Sequence, residues 1–172
     1  WWFEGVTSYY DDLVMYRAGI IDQAKYLNII VENLNNVYKF AGVTQQSIAN
    51  SSLTSWVKYY RQDENSPNSI VSYYVKGSLV ALCLDLLIRD QSEFSLDTVM
   101  LYLFKQWQEN PVGVDEDEFP ALIQAATGVD LSEFVQQATE TTEMLPYLEL
   151  LAKFGLNLTT RPAKNYQDNG KF

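Results

Sequence analysis

The chain has 172 residues, 47% of them hydrophobic and 20% charged, enough apolar material for one domain-sized core. It contains no histidine, which excludes a self-contained Ser-His-Asp or Cys-His site and any zinc site built on imidazoles of this chain. The 22 acidic against 12 basic residues give a net charge of −10, which repels a phosphate backbone or an anionic lipid surface, so nucleic acid is not an expected partner.

Apolar residues recurring at three- and four-residue intervals predict helices over 4–18, 22–40, 51–60, 69–89, 95–108, 117–126, 131–138 and 145–154. The fold class expected is all-α, an irregular bundle of about eight helices. The second helix opens at Asp22, carries Tyr26, Leu27, Ile30, Leu34, Val37 and Tyr38 on one face, and ends at Ala41-Gly42. A polar run at 61–68, containing Pro67, reads as a loop.

In the helix that follows, the single cysteine Cys83 lies in the apolar run 79–84 and reads as a small buried hydrophobe, with no disulfide framework. Asp85 and Arg89, four residues apart, read as a local ion pair. Ser95 and Asp130 stand where side-chain oxygens can accept from free N–H groups at helix starts.

Asp115, Glu116, Asp117 and Glu118 open a helix, where carboxylates favour the positive end of its dipole. They lack the alternating ligands and turn glycine of a calcium loop. No stretch reaches the roughly 18–20 apolar residues of a membrane span. After Gly155 the periodicity is lost, and 159–172 reads as a connector. A chain that opens on Trp1 with no basic n-region reads as a piece of something longer, and its compartment, cytoplasmic or periplasmic, stays open.

The segment Trp1-Trp2-Phe3-Glu4-Gly5-Val6-Thr7-Ser8-Tyr9-Tyr10 resembles the zinc-ligand glutamate segment of the gluzincin aminopeptidases. Several later blocks, in family order, are similar to the M61 glycyl aminopeptidases in particular. They are Tyr9–Leu13 with Arg17–Ile20, Asn50–Trp56, Asp63–Asn68, and Ser72-Tyr73-Tyr74-Val75-Lys76-Gly77 with Leu84-Asp85 and Ile88-Arg89. Residues 95–158 match more loosely.

This resemblance implies that 1–158 is the C-terminal helical part of a thermolysin-like catalytic domain. It implies that the HExxH helix, with two zinc ligands and the general base, precedes Trp1, and that 159–172 leads toward a downstream PDZ domain. The implied function is zinc-dependent hydrolysis of N-terminal Gly or Ala peptide bonds by metal-activated water. The implied partners are a peptide substrate and the missing N-terminal half of the catalytic domain, while the chain alone is expected to be inactive and to bind no zinc. A non-catalytic helical peptide-binding or scaffold domain is the alternative.

By the same resemblance, Glu4 is the third protein ligand to zinc, a carboxylate being anionic at neutral pH. Tyr74, in Tyr74-Val75-Lys76-Gly77, is the phenol that donates to the tetrahedral oxyanion, as a neutral donor held where negative charge develops. Tyr73 competes for this role, because on a helix the two side chains diverge by about 100° and only one can face the metal. Gly77 inside a helix is read as a place of close approach by another element. Lys76 is read as exposed and left out of the site.

Overall fold

A computed structural model describes residues 1–162 and residue 164, and these form nine α-helices and two 3-10 turns with no β-strand among the described residues. The helices are α1 (Trp2–Arg17), α2 (Gln23–Tyr38), α3 (Ile48–Leu53), α4 (Ser66–Ser69), α5 (Val75–Gln91), α6 (Leu96–Glu109), α7 (Phe119–Thr127), α8 (Ser132–Glu140) and α9 (Tyr147–Lys153). The expected all-α bundle is thus observed. Asp22 caps α2, its Oδ1 accepting from Lys25 N at 2.7 Å. The acidic run forms a 3-10 turn, Glu116–Glu118, that leads directly into α7.

Helix α5 is the axis. Twelve of its 17 residues are buried, a pattern possible only where neighbours cover a helix on nearly every side. Those neighbours are α1, α2, α6 and α9. Cys83 is fully buried, as its apolar run predicts.

The contact between α1 and α5 is made by backbone rather than by side chains. A Cβ on Gly5 would lie 2.7 Å from the Gly77 Cα, and one on Gly77 would lie 2.8 Å from the Gly5 Cα. Only a glycine pair permits that approach. The close partner that Gly77 implied is therefore the start of α1.

Farther along the same two helices, buried Asp85 ties three elements together. Its Oδ2 accepts from Tyr9 OH of α1 and from Arg89 Nε, both at 2.8 Å, and its Oδ1 accepts from Leu96 N at the start of α6, at 2.7 Å. The Asp85–Arg89 pair is present, and it belongs to a wider junction. Burial first, and then the Asp85 charge, push the Tyr9 phenol well above its ordinary range, so it remains a donor.

Two expected helices are corrected. Over 51–60 the helix is α3, which starts earlier at Ile48 and stops at Leu53, and a chain of tight turns follows to Arg61. Over 69–89 the helix begins only at Val75. Residues ahead of it are held by distant side chains: Val71 N donates to Gln46 Oε1 at 3.2 Å, and Ser51 Oγ donates to Val71 O at 2.5 Å. These bonds occupy the backbone groups that a helix would need.

Of the expected connector 159–172, residues 163 and 165–172, including the closing run Asp168–Phe172, lie outside the described residues.

Gly5→Ala and Gly77→Ala are each expected to destabilise the chain by about 1–3 kcal/mol in urea denaturation. The clash is with backbone, which cannot rotate aside, and it outweighs the roughly 1 kcal/mol of helix propensity gained. Gly113→Ala, at a position with open space around it, serves as the control and should shift stability by less than about 0.5 kcal/mol.

Candidate active site

The glycine contact positions both residues expected at the site. Glu4 precedes Gly5 in the first turn of α1 and is half-buried. Tyr74 stands at the start of α5 one turn before Gly77, so the two share a face of that helix. The starts of α1 and α5 therefore adjoin, and the Glu4 charge acts on the Tyr74 phenol.

Tyr74 belongs to a cluster of phenols. The Tyr60 hydroxyl lies 2.8 Å from that of Tyr74 and 3.1 Å from that of Tyr73. Tyr73 and Tyr74 rings meet at 4.7 Å between centroids, and Tyr59 packs on Tyr73 at 5.2 Å. Tyr59 OH pairs with Ser72 Oγ at 3.0 Å, and that same Oγ accepts from Val75 N at 3.2 Å as α5 begins.

The two competing tyrosines differ in exposure. Tyr73 is 6% exposed and closed into the core, while Tyr74 keeps part of its surface open. Hydrogen bonding to Tyr60 foremost, then to Tyr73, holds the Tyr74 phenol above its ordinary range, so it is neutral at physiological pH. Beside the cluster runs an exposed apolar ridge, Leu53, Trp56, Val57 and Tyr60, with Trp56 and Tyr60 rings in contact at 5.2 Å.

Among the described residues no three of His, Cys, Asp and Glu gather where a metal ion could be held. Glu4 is one anionic oxygen donor at the rim of the glycine contact. Among the described residues the donors beside that contact amount to one carboxylate, which would fit a single ligand position of a zinc ion.

A second concavity, of about 580 Å³, lies between α1, α6 and the approach to α7. Its walls include Phe3, Phe104, Trp107 and Phe119, and its lining holds one carboxylate, Glu118. Trp2 stacks on Phe119 at 4.0 Å along it. Neither Glu4 nor Tyr74 lines it.

Lys76 requires a correction. It is fully buried, and its Nζ has no hydrogen-bond partner among the described residues. Every residue from Gly77 to Leu86 is also buried, so a position that reads as polar surface ends up in the core. Desolvation alone lowers its pKa.

Tyr60 was not singled out from sequence. Trp56, Tyr59 and Tyr60 do form an aromatic stripe in the chain, but nothing local indicates that it turns onto residues 73 and 74.

The fold has a counterpart among solved structures. The chain is similar to the crystal structure of an aminopeptidase N family protein from Idiomarina loihiensis, with 38% identity and a TM-score of 0.91 over 99% of this chain. It spans 29% of that protein's chain. By fold and sequence together the chain is similar to one segment of that larger protein. The family model of M61 glycyl aminopeptidase matches residues 1–80. No curated protein matches it significantly.

Replacing Lys76 by methionine removes an unpaired buried ammonium at nearly constant volume. Lys76→Met should raise stability by about 1–3 kcal/mol at neutral pH. Because the folded pKa lies below the ordinary 10.5, the unfolded chain binds more protons between the two values and native stability rises with pH there. The advantage of the variant should accordingly shrink in denaturation curves taken at increasingly alkaline pH.

Proposed function

We propose that this chain is the C-terminal helical part of the catalytic domain of a longer zinc aminopeptidase. In it Glu4 supplies one protein ligand to the metal and Tyr74 donates a hydrogen bond to the developing oxyanion. The observation that carries this reading is the Gly5–Gly77 contact, which sets the carboxylate and the phenol on adjoining helix starts. The M61 match over residues 1–80 includes both.

Zinc, when bound, polarises the substrate carbonyl and lowers the pKa of water. The residues of this chain do the rest of what is assigned here. Glu4 offers a carboxylate oxygen, one of the donor types that zinc takes from protein. Tyr74 stays protonated and keeps an open side, the two properties required of a neutral oxyanion donor. Tyr73, closed into the core, is the structural member of the pair.

The substrate class proposed is a peptide with a small N-terminal residue, glycine or alanine, and residues 159–172 are proposed to lead to a PDZ domain. The chain by itself, having no imidazole, is proposed to hydrolyse no glycyl-nitroanilide and to take up no stoichiometric zinc.

In the full-length protein, Glu4→Ala should abolish zinc content measured by atomic absorption, and activity with it. Tyr74→Phe should retain zinc and KM while kcat falls by roughly 10²–10³-fold. Full turnover by Tyr74→Phe would move the oxyanion role to another donor, and a parent without an HExxH segment would favour the scaffold alternative.

A further inference from the structure

We propose that Tyr60 is a positioning residue of this site: its hydroxyl bridges those of Tyr73 and Tyr74 and orients the Tyr74 O–H toward substrate. This inference rests on the reading of Tyr74 as the oxyanion donor.

A phenol hydroxyl carries one proton and accepts through its lone pairs. Tyr60 OH lies within hydrogen-bonding distance of two other hydroxyls, at 2.8 Å from Tyr74 and 3.1 Å from Tyr73. It can donate to only one of them, so the three protons run along the chain in one of two senses. If Tyr74 donates to Tyr60, its proton is turned inward and is withheld from a ligand. If Tyr73 donates to Tyr60 and Tyr60 to Tyr74, the Tyr74 proton is left for an acceptor on the open side.

In the resting chain the bond to Tyr60 stabilises the protonated Tyr74 phenol, which is the first sense; the second sense satisfies the buried end. Tyr73 is 6% exposed, so its O–H must find a partner inside the protein, and Tyr60 provides one. The order Tyr73, Tyr60, Tyr74 then gives the buried hydroxyl an acceptor and ends in one outward donor. Hydrogen bonds in series polarise one another, which makes the last donor stronger. Changing between the two senses needs only rotation of hydroxyls, with no net transfer of charge, so an arriving carbonyl oxygen can select the productive one.

Tyr60 itself is held by its ring. Centroid contacts of 5.2 Å to Trp56 and 5.4 Å to Tyr59 fix the aromatic plane independently of the hydroxyl. Tyr60→Phe therefore removes the bridge while keeping the packing.

The test uses the full-length zinc enzyme with glycyl-nitroanilide, and a phosphinic glycyl-alanine analogue as a tetrahedral probe. Tyr60→Phe should keep zinc content and hold KM within about twofold, while kcat and calorimetric affinity for the phosphinic probe each fall roughly three- to tenfold, the worth of one hydrogen bond. Tyr73→Phe should give a smaller loss of the same kind. In a Tyr74→Phe background, Tyr60→Phe should have no further effect on kcat, because the two act as one unit.

Unchanged kcat and probe affinity in Tyr60→Phe would overturn the positioning role, and so would loss of zinc or a KM effect alone, which marks a structural residue. Those results leave a damaging Tyr74→Phe intact as evidence for the donor. A Tyr74→Phe enzyme with full turnover would instead remove the reading on which this inference rests.

Discussion

The arrangement depends on the approach of two backbones at Gly5 and Gly77. Side chains normally keep helices about 8–10 Å apart. Here α1 and α5 meet with no Cβ between them, and the residues at their starts are drawn together. The Tyr9–Asp85 hydrogen bond then joins the same helices farther on, so that contact and junction together set their relative rotation. Asp85 also receives Leu96 N, which passes the constraint to α6. A one-residue slip between α1 and α5 would place a Cβ in the contact, so the register carrying Glu4 and Tyr74 is set by sterics.

The start of α5 combines two environments. On one side phenols and serine hydroxyls satisfy each other in a wet-edged cluster of Tyr59, Tyr60, Tyr73 and Tyr74. On the other side, two residues on from Tyr74, the Lys76 ammonium is buried with no partner among the described residues. Successive helical positions differ by about 100°, so neighbours in sequence can face opposite dielectric conditions. That divergence separates half-open Tyr74, at the helix cap, from buried Lys76, while Tyr73 lies ahead of the helix and is closed into the core.

Much of the fold was legible in the sequence. Asp22, Ser95 and the acidic run marked helix starts because capping is local chemistry, settled within one turn. Gly77 announced a close contact because glycine in a helix interior costs stability unless something gains from it. The stretches 54–60 and 69–74 were misread as helix for a nonlocal reason. Gln46 and Ser51 capture the backbone of Val71, while Tyr59 and Tyr60 turn in to meet Tyr73 and Tyr74. Periodicity carries no information about bonds between residues 13 or more positions apart.

By itself, the sequence determined the all-helical class, most helix starts, the burial of Cys83 and the resemblance that singled out Glu4 and Tyr74. The first three follow from residue type and spacing within a few turns, and the last from likeness to a known family. The tertiary structure decided that Gly77 meets Gly5, that Asp85 joins three helices rather than one pair, that Lys76 is core, and that Tyr60 completes the tyrosine cluster. These outcomes depend on which faces come together across long stretches of chain, and that is settled by packing and by the satisfaction of buried polar groups, which exist only once the helices have assembled.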